Sequence, residues 1–237
     1  MDGVNGLEKK EMNSKKLKVL CLHGFRTGGS FLRKQIGKWD PSIFQDFLLD
    51  FPDGIFLAGG KSDIEDIYPP PYFEWFQFNK GATLSALLIS YQAKGKILKD
   101  HPPIKFLVSI SGCKFRDPKI CDIAYKDPIK VKSVHFIGDK DWLRQPSEEL
   151  TAAFDSPLIL RHPQGHTVPR LDEINVKNLS EWTRSILKSS ITYDAPGVET
   201  WKTEANNANI KQAVVADPKS MEATDSELPM KGMSPPR

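Results

Sequence analysis

Asp141, in the run Gly138-Asp139-Lys140-Asp141, and His166, in Gly165-His166-Thr167-Val168-Pro169, are residue types that together move a proton. A carboxylate held against an imidazole fixes its tautomer and stabilises the imidazolium formed when the ring takes a hydroxyl proton. Asp139 and His162 offer the same chemistry nearby, and spacing alone does not choose among the four. The plain alternative is that Asp141 caps a turn or the helix opened by Pro146, and that His166 is an ordinary loop histidine.

Such residues need a frame, and the sequence supplies one. Apolar runs at 17–22 (LKVLCL), 47–51 (FLLDF), 104–110 (IKFLVSI), 131–137 (VKSVHFI) and 157–161 (PLILR) read as buried strands, each followed by turn chemistry. Between them, residues 82–94 set Leu84, Leu87, Leu88 and Tyr91 on one helical face before Gly95. Pro146 opens a helix running to Phe154, and Ile174, Leu179, Trp182, Ile186 and Leu187 stripe a last one. Strands alternating with helices predict an α/β fold with a mostly parallel sheet, whose ligands bind beyond the strand C-termini. Both Asp141 and His166 follow strands. His23-Gly24-Phe25-Arg26 after the first strand and Phe78-Asn79-Lys80-Gly81-Ala82 before the Leu84 helix occupy comparable places.

The 237 residues divide by composition into a polar extension (1–16), a body (17–190) and a tail (191–237) read as disordered for want of periodicity. A net charge of +3, from 33 basic and 30 acidic side chains, argues against a nucleic-acid partner. No apolar run is long enough for a membrane span, and the first 18 residues lack the features of a signal or transit peptide, so the cytoplasm is the expected address, with the nucleus left open. Three cysteines without metal spacing predict no disulfide framework, no metal and no cofactor. Gly59-Gly60-Lys61-Ser62 imitates the end of a phosphate loop, but Ile55 stands where its first glycine belongs and Pro69 to Pro71 interrupt any following helix.

Five blocks in order, LKVLCLHGFRTGGSFLRKQ, GKSDIEDIYPPPYFEWFQF, GATLSALL, HFIGDKDW and RHPQGHTVP, resemble the family-of-serine-hydrolases domain, an α/β-hydrolase group that includes the ovarian-cancer-associated esterase. The resemblance spans about residues 17–190. It implies an α/β-hydrolase fold, a small ester or acyl substrate and a Ser-Asp-His triad in that chain order, with Asp141 as the acid and His166 as the base. The oxyanion donors it implies are the backbone N–H groups of Lys80 and of Phe25. His23 then supports its turn rather than reacting.

One part is missing. Family members carry Gly-Phe-Ser-Gln-Gly-Ala at the nucleophile elbow, where this chain reads Gln77-Phe78-Asn79-Lys80-Gly81-Ala82, so Asn79 stands at the nucleophile position. In the family, a helix and the central strand separate the block matching Glu74 to Phe78 from the elbow. Here the two abut, and a parallel crossover needs about a dozen or more residues. The expectation is a segment excised between Lys80 and Gly81, by an alternative transcript, a gene-model error or divergence. The sheet then lacks its innermost strand unless 72–78 (YFEWFQF) replaces it. Substitute nucleophiles are Ser85, Ser90, Ser109, Ser111 and Cys113. Two functions follow: a serine-hydrolase relative without a competent nucleophile, weakly active or inactive, or a non-catalytic binding protein that uses the pocket or the tail.

Overall fold

The structure, a computed structural model, describes residues 16–76 and 81–191. Of the polar extension and the tail, only Lys16 and Ile191 fall inside these bounds. Strand β1 (Leu17–Leu20) pairs in parallel with β2 (Phe47–Asp50), Leu17 opposite Phe47. Between them lie helix α1 (Gly29–Ile36) and a short 3-10 turn at Pro41–Ile43, whose start Asp40 caps through the Ser42 N–H. A two-residue ribbon follows, β3 (Phe56–Leu57) antiparallel to β4 (Phe73–Glu74).

Helix α2 (Gly81–Ala93) leads to a second parallel sheet, β5 (Phe106–Ile110), β6 (Lys132–Gly138) and β7 (Leu158–His162), with β6 in the middle. Helix α3 (Pro118–Ala124) joins β5 to β6, α4 (Arg144–Thr151) joins β6 to β7, and α5 (Glu173–Ile191) closes the body. The class is α/β, as the alternation of elements predicts.

This sheet is covered on both faces. Ala86 and Ile89 of α2 meet Leu107, Leu150 and Phe154 on one side. Trp39, Val134, Phe136, Leu160 and Leu179 form the core on the other. Burial on two faces explains why β6 is wholly buried after Lys132, its two polar residues, Ser133 and His135, bonding to each other at 3.0 Å. Strand β1 is different: Lys18 and Leu20 are exposed, Leu20 at 59%, which is unusual for a parallel strand.

The cause is a break in the sheet. Among the described residues no backbone hydrogen bond joins the β1–β2 pair to β5–β6–β7. The expectation that the aromatic run at 72–78 replaces the innermost strand is not met: Phe73 and Glu74 spend their pairing on Phe56 and Leu57, and residues 77–78 lie outside the described set. The helix expected from Pro146 begins at Arg144, because the turn carrying Asp141 already winds it. The Arg144 N–H donates to the Asp141 carbonyl at 3.0 Å and the Leu143 N–H to Asp141 Oδ1 at 2.8 Å.

Candidate active site

Asp141 sits in the loop that leaves β6, and His166 in the loop that leaves β7. Two backbone bonds stitch these loops together, from the Asp139 N–H to the His162 carbonyl at 2.8 Å and from the Lys140 N–H to the Gln164 carbonyl at 3.3 Å. Gly138 permits the approach: a Cβ there would stand 2.5 Å from the Gln164 carbonyl oxygen and 2.8 Å from that of Gly165. The loops therefore present their side chains to each other.

His166 Nδ1 lies 3.0 Å from Asp141 Oδ2 and 3.1 Å from Oδ1. A carboxylate only accepts, so Nδ1 carries the proton and Nε2 is the basic atom of the ring. Burial works against the charged form of Asp141. The His166 ring N–H, the Ser111 hydroxyl and the Leu143 N–H together outweigh it and hold the carboxyl at about 2. Ser111 acts by proximity, since its buried Oγ closes no hydrogen bond of its own.

The rivals point elsewhere. Asp139 is exposed and lies 4.0 Å from the Arg161 guanidinium. His162 is buried, with neither ring nitrogen hydrogen-bonded, and burial lowers its pKa. His23, fully buried, accepts from the Gly54 N–H at Nε2, 2.8 Å away, and its Nδ1 faces the Gly24 carbonyl at 2.8 Å. Those contacts fix the Nδ1–H tautomer, and burial lowers its pKa, so it pins the turn as a neutral ring.

Phe25 is half-buried in the same turn, with the Arg26 guanidinium 4.9 Å above its ring. Arg26 is in turn tied to Glu74 at 2.9 Å. Asn79 and Lys80 lie outside the described residues. Their helix begins in place nonetheless: Gly81 packs so tightly on the turn after β1 that a Cβ would stand 2.4 Å from the His23 carbonyl oxygen. The helix N-terminus thus faces the same cavity as Phe25 and His166.

None of the substitute nucleophiles repeats an elbow. Ser85 donates to the Gly81 carbonyl, and Ser90 to that of Ala124 on the buried side of α2. Ser109 is buried, and Cys113 Sγ lies 3.4 Å from the Thr83 hydroxyl. Ser111 is the residue whose part is underrated by sequence reasoning. It ends β5 with a left-handed φ of 51°, is buried beside Asp141 and lines the cavity. The Ser-Gly pair closing a strand was the available signal. Trp142, 71% exposed with its ring centroid 5.2 Å from that of His166, had no signal beyond adjacency to Asp141.

The cavity measures about 970 Å³. One wall is the run Leu17–Leu22, the opposite wall includes Pro103–Val108, and His166 and Trp142 stand on its lining.

Comparison with known proteins identifies the family. A family described as Serine hydrolase (FSH1) matches residues 12–80 and, as a second segment, 71–178. A Schizosaccharomyces pombe protein named dihydrofolate reductase is 25% identical over 207 residues, 66% of this chain and 45% of that protein. Family of serine hydrolases 2 of Saccharomyces cerevisiae is 25% identical over 115 residues, 46% of this chain and 51% of that protein. Esterase AAEL000016 of Aedes aegypti is 27% identical over 199 residues, 65% of this chain and 70% of that protein. The chain spans about half the length of the two yeast relatives. With the family matched over more than half of its residues, the chain belongs to the FSH1 serine hydrolases.

Proposed function

We propose that this chain retains the proton-transfer pair and the pocket of an esterase for a small ester or acyl group, but has, among its described residues, no atom placed to attack the ester. The observation that carries this reading is the 3.0 Å contact of His166 with Asp141 beside the cavity. In acyl transfer such a pair serves to take a proton from a nucleophile. Asn79 stands at that position, and its amide nitrogen, with a delocalised lone pair, has nothing to give. Asp141 and His166 are then acid and base without a client, and the N–H groups of Phe25 and Lys80 are the oxyanion donors.

The form of the family match supports the reading. It falls into two segments that meet over residues 71–80, around the junction of Lys80 with Gly81. The alignment of 207 residues to the fission-yeast protein is longer than the 66% of this chain it uses, so that relative carries stretches without a counterpart here. A skipped in-frame exon accounts for a junction of this kind. The second reading is a non-catalytic protein, in the cytoplasm or nucleus, that uses the pocket or the tail for binding, and the size of the cavity favours it.

The test is incubation of the native chain with a fluorophosphonate probe and with an aryl butyrate ester, beside a version carrying the relatives' segment between Lys80 and Gly81. The native chain stays unlabelled and the restored one is labelled and turns over. Labelling of the native chain refutes the proposal.

A further inference from the structure

We propose that the break in the sheet is a strand-acceptor site, which takes one extended apolar segment of another polypeptide parallel to β1 and β5. The argument begins with backbone direction. The Cys21 N–H donates to the Asp50 carbonyl at 2.8 Å, so odd-numbered residues of β1 turn their backbone groups towards β2. Those of Lys18 and Leu20 point the other way. Likewise the Ser111 N–H donates to the Phe136 carbonyl at 3.1 Å, which leaves the backbone groups of Phe106, Val108 and Ile110 facing away from β6. Both rows border the cavity, and no strand among the described residues pairs with them.

Chemistry selects the occupant. A fatty acyl chain would satisfy the apolar side chains of the lining and leave two rows of N–H and C=O groups unmet, at a cost for each. An extended peptide satisfies both rows at once, by strand addition on two edges instead of one. The directions agree too: the chain leaving β1 and the chain leaving β5 meet the start of α2, His23 against Gly81 and Gly112 against Ala82, and at the other end Phe106 of β5 packs 5.8 Å from Phe47, the partner of Leu17, so a single inserted strand can run parallel to both. Charge sets the polarity of the partner. Lys18 and Lys105 stand where an inserted strand would begin, whereas the acidic residue of the lining, Asp63, lies beside Ser62, which bonds to Arg26 beyond the far end of β1. The segment that fits is therefore five or six β-branched and apolar residues preceded by one or two acidic ones.

The test uses the full chain and a fluorescein-labelled peptide, Asp-Glu-Val-Ile-Val-Thr-Val-Gly, followed by fluorescence anisotropy. Its control has the same side chains with N-methyl groups on alternate residues, which removes donors without changing hydrophobicity much. The N-methylated peptide binds at least about tenfold more weakly. Leu20→Pro, which deletes an N–H that the β1–β2 ladder does not use, weakens binding several-fold while the thermal unfolding profile stays close to that of the native chain. Leu20→Thr, which keeps that N–H, retains binding if the proline variant proves unfolded. Equal binding of both peptides, binding of palmitate in place of the peptide, or self-association that excludes it overturns the proposal. Anisotropy needs no hydrolysis, so failure here leaves the reading of a missing nucleophile standing, and fluorophosphonate labelling would end that reading without touching this one.

Discussion

Gly138 and Gln164 approach so closely that a Cβ on the glycine would fall 2.5 Å from the glutamine's carbonyl oxygen. This contact, between the ends of two neighbouring parallel strands, sets the distance at which Asp141 and His166 face each other. Gly138→Ala must push the loops apart, and overpacking of this kind costs about 1–3 kcal/mol. Chemical denaturation measures the loss, and the ring NMR signals of His166 report the parting of the pair.

Asp141 gives the molecule an acid-sensitive joint. Its carboxyl is held at about 2, below the ordinary aspartate value, so the unfolded chain binds this proton more readily than the folded one. The stabilisation is present above about pH 4 and is lost as pH falls through about 2. Asp141→Asn lowers stability at neutral pH by about 1–3 kcal/mol, from the loss of charged hydrogen bonds, and the difference from the native chain shrinks between pH 4 and 2. Urea titrations at each pH check this.

Buried histidines add a second pH dependence. Burial lowers the pKa of His23, His135 and His162, with His135 brought to about 4. Each must gain a proton more readily when unfolded, so stability declines as pH falls from about 6.5 towards 4. His135→Phe, at a site already packed edge-on against Phe154, flattens part of that slope. Melting temperatures from pH 4 to 8 supply the comparison.

Ser111 carries backbone strain that only a comparison of variants can isolate. With φ at 51°, Ser111→Gly is more stable than Ser111→Ala by about 1 kcal/mol, since both lack the hydroxyl and only alanine keeps the Cβ penalty. Equal stabilities would show that the left-handed conformation costs nothing here.

Trp142 is exposed beside His166 and takes little part in the core. Trp142→Ala leaves stability within about 0.5 kcal/mol and weakens the binding of an aryl ester to the pocket. Denaturation and equilibrium binding to the native chain and the variant decide both parts.

The sequence conveys the parallel strands well: β5 and β6 lie under cover and read as mainly apolar runs, while β7 alternates, with Ile159 and Arg161 exposed and Leu160 buried. Helix α1 is hidden by comparison: eight residues long, it follows Gly28 without any side-chain cap. Helix α3 did carry its signals, as Asp117 caps it and Pro118 opens it, but seven residues hold too little periodicity to stand out. The choice of Asp141 over Asp139 depends on which way each side chain leaves the turn after β6, and turn spacing does not encode that. Residues 79 and 80 show the converse, where the sequence speaks plainly through the clash of Asn79 and Gln77 with an elbow and the described geometry begins only at Gly81.

Gly81 rests on carbonyls that β1's own continuation provides, at Leu22 and His23. A helix berthed this way takes its support from a neighbour far back in the chain. Such a berth keeps the half of the molecule that follows in register with β1 while the sequence ahead of Gly81 varies.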